Sequence, residues 1–316
     1  MKSTRPRPDT APGAGPPSSA RGCGIKKRRA SPFLTPPALG RRGRGLALLA
    51  GLCACTPATP PPSAARAHPA IVSLNPCSDA ILAEVADPGQ VLALSHYSRD
   101  PRSSSMDVAQ ARRFPATRGT VEEVLALHPD LVLGDTFLGP AARAAYDRLG
   151  IPVAQLPIAM NVADSRAQVR RIAALAGHPE RGERLVARID AALAAAAPPP
   201  GAAPVPTVVW QSGGIVPGEG TLIADLLRRT GFASFSAARG MRQADVLPLE
   251  RMLADPPRLI LVASDAHGDG DRLLHHPVLA ALDGTRRETL ASGLLYCGGP
   301  TIVRAAARLR QVRASL

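Results

Sequence analysis

The strongest constraint on the fold of this chain is a helix–proline–strand joint that occurs twice. Glu122-Glu-Val-Leu-Ala-Leu-His-Pro129-Asp-Leu-Val-Leu133 is echoed by Glu250-Arg-Met-Leu-Ala-Asp-Pro-Pro257-Arg-Leu-Ile-Leu261. Each copy starts with Glu, has Leu-Ala at the third and fourth positions after it and Pro at the seventh, then an apolar run. The residue before a proline is pushed out of the α region, so a helix stops there. The apolar run that follows reads as a strand covered on both faces, the pattern of parallel sheets.

The rest of the chain fits around these copies. Ile71–Leu74, Val91–Leu94, Leu131–Leu133 and Pro152–Gln155 read as strands. Helices are expected near Ser78–Val85, over Val121–Leu127, and over Pro140–Leu149 up to Gly150. A second set follows, with strands Thr207–Trp210 and Leu259–Val262 and helices Thr221–Arg229, Leu249–Leu253, His276–Ala281 and Thr301–Arg313. Between the sets, Ala163–Ala176 and Pro179–Ala197 carry helical periodicity with no strand signal, closed by the Ala/Pro/Gly stretch Ala194–Pro206. Alternating strands and helices define an α/β fold. The expected organisation is an α/β lobe over residues 70–162, a helical bridge over 163–206 and a second α/β lobe over 207–316.

A formal net charge of +13 points to nucleic acid only if the charge is clustered on the folded part. It is not. Residues 1–67 hold 12 of the 38 Lys and Arg and one acid, Asp9, which leaves about +2 and no lysine for everything after them. This distribution disfavours a basic nucleic-acid surface and a polybasic membrane patch. No apolar run approaches the roughly 18 residues needed to cross a bilayer.

The leading segment reads as an address. Residues 1–44 are rich in Pro, Gly, Ser and Arg, and Arg41, Arg42 and Arg44 precede the apolar run Gly45–Ala54. A charged stretch followed by a short apolar one is an export signal, so the expected location is the periplasm or cell envelope. Two exits are available. Leu52-Cys-Ala-Cys55 resembles a bacterial lipobox, which would make Cys55 a lipid anchor with residues 56–69 as a Pro-rich tether. Ala65-Arg-Ala67 would instead release a soluble chain starting at His68. Either cut removes Cys23 and Cys53, and Cys77 and Cys297 remain as an even pair in an oxidising compartment. They fit a disulfide, a soft site for a metal chelate completed by His96, or two unpaired small residues.

Several stretches together carry a resemblance. They are Ile71-Val-Ser-Leu-Asn-Pro76, Val91-Leu-Ala-Leu-Ser-His-Tyr-Ser98, both Glu…Pro repeats, Trp210-Gln-Ser-Gly213 with Gly218-Glu-Gly-Thr221, and Pro300 at the start of the last helix. Over residues 70–315 the chain resembles the periplasmic binding proteins of cobalamin and iron–siderophore ABC importers. The resemblance implies two α/β lobes bridged by a long rigid helix, limited lobe movement, and a ligand cleft between the lobes. It implies a monomeric solute-binding component, not an enzyme, with no resident cofactor. Such a protein delivers a metal chelate of cobalamin, siderophore or haem type to a permease dimer with its ATPase.

In that layout the cleft is formed by loops leaving strand ends: Asn75–Cys77, Ser95–Asp100, Gly134–Phe137, Gln211–Gly214, Ser264–Asp271 and Tyr296–Gly299. The ligand-binding candidates are Cys77, His96, Tyr97, Arg99, Asp135, Gln211, Arg242 and Cys297. Tyr97 matches an aromatic cleft residue of the cobalamin binders, whose tryptophans are replaced here near Ala116, Asp135 and Ala244. Arg99, Arg118, Arg239 and Arg242 could clamp anionic groups of a ligand. Glu122 and Glu250 match the two lobe-surface glutamates that dock onto permease arginines. Beside the first, Thr120-Val-Glu-Glu123 fits a capping box in which Glu123 folds back to the backbone. The competing class is an exported metal-dependent enzyme built on the loop with Asp265, His267, Asp269 and Asp271, together with His96.

Overall fold

The apolar runs of the first half pair into one parallel sheet. β1 (Ile71–Ser73), β2 (Val91–Ser95), β3 (Ala116–Thr117), β4 (Leu131–Asp135) and β5 (Val153–Leu156) stand in the order β3-β2-β1-β4-β5. Every neighbouring pair is parallel. The structure is a computed structural model that describes residues 67–263, 277, 282 and 284–316. In the second half β6 (Val205–Trp210), β8 (Phe232–Ser234), β10 (Leu259–Ala263) and β11 (Arg286–Leu290) form a parallel sheet in the order β11-β10-β6-β8. A small antiparallel pair, β7 (Ile215–Val216) and β9 (Asp245–Val246), lies beside it in sequence.

Helices α1 (Pro76–Val85), α2 (Val108–Ala111), α3 (Val121–Ala126) and α4 (Pro140–Arg148) belong to the first half. The bridge is two helices, α5 (Val162–Leu175) and α6 (Pro179–Ala196). The second half adds α7 (Leu222–Arg229), α8 (Leu249–Ala254) and α9 (Pro300–Ala314). Local chemistry starts these helices. Asn75, Thr120, Asn161 and Thr221 accept the N–H of the second or third helical residue through their side chains. Proline opens α1, α4, α6 and α9, where its missing N–H costs nothing.

Side-chain alternation along the strands sorts the core. Ile71, Leu131 and Leu133 face inward with Val209, Leu259 and Leu261 of the second sheet, in one continuous cluster that includes α5, α6 and α9. Val72, Val132 and Ala93 face outward onto Val124 and Tyr146 of α3 and α4. Val208, Trp210 and Ile260 face outward onto Met252 of α8. The two sheets therefore share a helical layer. At one point in it Gly182 of α6 lies so close to α5 that a Cβ there would sit 2.6 Å from the Ala173 Cβ.

The repeated joint folds the same way twice. α3 leads through Pro129 into β4, and α8 leads through Pro257 into β10, each an internal strand of its sheet. In both, the residue after the proline bonds the start of the neighbouring strand: Asp130 N–H to Ala70 O at 2.9 Å, and Arg258 N–H to Pro206 O at 3.0 Å. The expected helix at His276–Ala281 lies outside the described residues, Pro277 apart.

Candidate functional site

The carboxyl ends of β1, β4 and β5 surround a cavity of about 290 Å³, closed on another side by the loop ahead of α9. Asn75, Cys77 and Ser78 come from the start of α1, Gly134, Asp135 and Phe137 from the end of β4, and Leu156–Ala159 from the end of β5. Gln168 reaches in from α5, and Tyr296 and Gly298 complete the wall. Ligands collect at such strand ends because loops, side chains and helix N-termini converge there. The lining is mainly apolar, and two of its rings are exposed, Phe137 at 76% and Tyr296 at 59%.

Few polar groups face this space. Asn75 spans two elements: its Oδ1 accepts Cys77 N–H at 2.8 Å to cap α1, and its Nδ2 donates to Asp135 Oδ2. Asp135 Oδ1 takes Phe137 N–H at 2.8 Å, which holds the turn that carries the Phe137 ring. Gln168 donates Nε2–H to Pro157 O at 3.0 Å, and its buried Oε1 has no partner among the described residues. A buried, unpaired acceptor on a cavity wall is where a ligand donor gains most.

Cys77 and Cys297 are joined, with their Cα atoms 4.9 Å apart. The bond carries the segment before α9 onto the start of α1, and neighbouring contacts reinforce it. Gly299 N–H donates to Ser165 Oγ at 2.8 Å, and Thr301 Oγ1–H donates to Ser105 O at 2.9 Å. Sulfurs committed to each other cannot serve as thiolates, so the soft metal-chelate site formed by these cysteines and His96 is corrected to a disulfide in the cavity wall.

The remaining sequence candidates are distributed unevenly. Asp135 lines the cavity, and Gln211 approaches it by accepting from the Tyr296 hydroxyl. His96 and Tyr97 form a short 3-10 turn at the end of β2, their rings 4.1 Å apart and Tyr97 51% exposed, on the cavity's edge of the sheet but outside its lining. Arg99, in the same turn, donates to Phe114 O. Arg242 is exposed and takes part through its backbone, N–H to Asp245 Oδ2 at 2.8 Å. Arg239 stacks 3.3 Å above the Phe235 ring and pairs with Asp255, which makes it structural. Arg118 lines an adjoining cavity of about 210 Å³ that shares Gly134, Asp135 and Phe137 with the first. Cys55 and the Asp265–Asp271 loop lie outside the described residues.

Both repeat glutamates are exposed in the first turn of their helices, Glu122 in α3 and Glu250 in α8. Glu123 differs from the expected capping box. Thr120 Oγ1 does accept Glu123 N–H, at 3.2 Å, but the Glu123 carboxylate turns upstream to Thr117 Oγ1 and Arg118 N, each at 2.7 Å. Those bonds, with the Thr117 hydroxyl first, hold its pKa below the usual carboxylate value.

Under the Tyr97 turn lies a group the sequence did not flag. Asp79 of α1 is fully buried; its Oδ2 accepts Ser95 N–H at 2.9 Å and the Ser98 hydroxyl at 2.6 Å, the Ser73 hydroxyl also acts on the carboxyl, and Oδ1 has no partner within hydrogen-bond distance among the described residues. Burial pushes its pKa up to about 8 against the hydrogen bonds that lower it.

Two parallel α/β sheets over a shared helical layer, with a cavity at their strand ends, define the class of two-lobed solute-binding proteins. The family profile described as periplasmic binding protein matches residues 71–289, and the chain belongs to that family. Solved structures agree on the fold. A periplasmic heme-binding protein from Pseudomonas aeruginosa is 22% identical with a TM-score of 0.61, over 77% of this chain and 92% of that one. The heme-binding HutB of Vibrio cholerae is 18% identical with a TM-score of 0.64, over 77% and 98%. The vitamin B12-binding BtuF of Vibrio cholerae is 18% identical with a TM-score of 0.58, over 78% and 98%. No curated protein sequence matches the chain. The protein is thus an extracytoplasmic binding protein of the ABC-importer type; the family overturns the metal-dependent enzyme.

Proposed function

We propose that this protein captures a planar, largely apolar metal chelate of haem type in the cavity and presents it to the permease dimer of an ABC importer with its ATPase. The observation that carries this choice is the lining: apolar, with the exposed rings of Phe137 and Tyr296, and no cationic side chain among the described residues that form it. An aromatic face suits a macrocycle, whereas an anionic siderophore needs cations to offset its charge. Arg99 and Arg239 are engaged elsewhere, and Arg118 in the adjoining cavity is placed to meet a peripheral carboxylate. Tyr97 and His96 on the same sheet edge offer a phenol and an imidazole beside such a ligand. The P. aeruginosa and HutB structures are of heme-binding proteins, which favours the same class, and BtuF keeps cobalamin as the competitor.

In this reading Asp135, Gln211 and Gln168 orient the ligand, and Glu122 and Glu250 dock on the permease. The domain reading remains the one drawn from the sequence: residues 70–162, the 163–206 bridge and 207–316, with Cys55 as the lipid anchor in the envelope. The test is a thermal-shift and absorption titration of the purified protein with haem, cobalamin, cobinamide and ferric siderophores. A ligand at 100 times its Kd stabilises by about 2.7 kcal/mol, a readily measured shift. Haem is expected to give the largest shift. Stabilisation by a siderophore or cobalamin without any by haem overturns the choice.

A further inference from the structure

Three metal-ligating side chains converge at the opposite end of the first sheet. His68 precedes β1, Asp87 lies in the turn that enters β2, and His178 sits in the turn between α5 and α6. One ligand atom from each lies within 4.8 Å of the others. The two imidazoles are 4.3 Å apart between centroids. Gly177 makes room for them: its φ is 83°, and a Cβ there would collide with the His68 ring. None of these residues lines the cavity.

Hydrogen bonding sets the state of His178. Gln90 donates both Nε2 hydrogens to backbone carbonyls, Pro69 O at 3.2 Å and Ala176 O at 2.9 Å. Its Oε1 must then be the acceptor, of Asp87 N–H at 2.8 Å and of His178 Nε2–H at 2.7 Å. The proton of His178 therefore sits on Nε2, and Asp87 Oδ2 faces the same nitrogen at 3.3 Å. Two ligands on one tetrahedral zinc, each about 2.0–2.1 Å from the metal, are roughly 3.3 Å apart. Carboxylate and imidazole already stand at that separation.

We propose that His68, Asp87 and His178 bind a divalent metal of borderline softness, zinc foremost, at a site separate from the cavity. The cation takes the place of the Nε2 proton. That proton moves to Nδ1, which faces Glu180 Oε1 at 3.9 Å, a carboxylate behind the liganding imidazole. Arg181 holds the other Asp87 oxygen at 2.7 Å and so orients Oδ2. Two imidazoles with one carboxylate select zinc or nickel over magnesium and calcium, which prefer oxygen alone. Bound there, the ion pins the segment ahead of β1 to the α5–α6 turn.

The experiment uses the full chain without a polyhistidine tag, stripped with a chelator and titrated with zinc chloride by calorimetry. X-ray absorption at the zinc edge reads the ligands. One ion per chain is expected, with two imidazole nitrogens bound. Because His178 is buried, the variants are His68→Gln and Asp87→Asn, on half-buried positions. Each should weaken zinc at least about tenfold, while circular dichroism reports an unchanged fold. Absence of stoichiometric zinc, or undiminished affinity in both variants, overturns the site. No cavity ligand enters the assay, so its outcome is independent of what the cavity holds.

Discussion

Cys77, in the wall of the cavity, is covalently joined to Cys297, 220 positions away and between the lining residues Tyr296 and Gly298. The bond ties the first helix of one half to the loop ahead of the last helix of the other, and the contacts around it run through Ser105 and Ser165.

Breaking that bond should therefore cost stability and change the cavity. Removing a native disulfide from a secreted domain typically costs about 2–5 kcal/mol. Paired Cys77→Ser and Cys297→Ser, or added reductant, should lower the urea midpoint accordingly and weaken ligand binding. Unfolding curves with and without reductant measure the first effect. Curves that coincide would show that the bond contributes nothing.

The Gly298 position has no space for a side chain. A Cβ there would lie 2.8 Å from the Ser165 Cβ, on a segment held by both the disulfide and the Gly299–Ser165 bond. Gly298→Ala should cost about 1–3 kcal/mol, the range for forced overpacking. Thermal unfolding of the oxidised variant would measure it.

The two repeat glutamates should separate transport from binding. Reversing both, Glu122→Arg with Glu250→Arg, removes the charge offered to a basic partner on each half. Uptake in cells is expected to fall at least about tenfold, with solute affinity of the purified protein unchanged. Uptake at the wild-type rate would remove the docking role.

Asp79 predicts a pH dependence. Its folded pKa is raised, by burial, to about 8 from 3.8, so between these values the folded protein keeps a proton that the unfolded chain releases. Stability from this group therefore falls as pH rises from about 4 to about 8 and levels off above. Asp79→Asn keeps the acceptor for Ser95 and Ser98 without the charge. It should flatten that slope and be the more stable form at pH 8. Denaturant titrations from pH 5 to 9 give the comparison, and parallel slopes would refute it.

The repeated joint was legible because a proline stop and a doubly buried strand leave a pattern that no distant partner alters. β11 was not: among the described residues Arg286-Arg-Glu-Thr-Leu290 is an edge strand paired with β10 alone, and of its five residues only Leu290 is buried. Tertiary pairing, not propensity, makes it a strand. The cavity was half legible. Loops after β1 and β4 were identified from strand ends, but the apolar wall after β5, Leu156–Ala159, looks like any strand exit. The arginines misled for a related reason. That Arg99 would reach Phe114 O and Arg239 would meet Asp255 depends on folds of the chain 15 and 16 residues away. Gln168 and Asp79 had no signal at all, since a lone polar residue on a helix reads as surface.

A crosslinked cavity also changes how affinity is built. A binder that opens and closes loses apparent affinity in proportion to the fraction of molecules found open. A crosslink such as Cys77–Cys297, which ties the start of α1 to the loop ahead of α9, reduces that loss. The more firmly such a crosslink holds a cavity, the more discrimination between solutes rests on the wall itself.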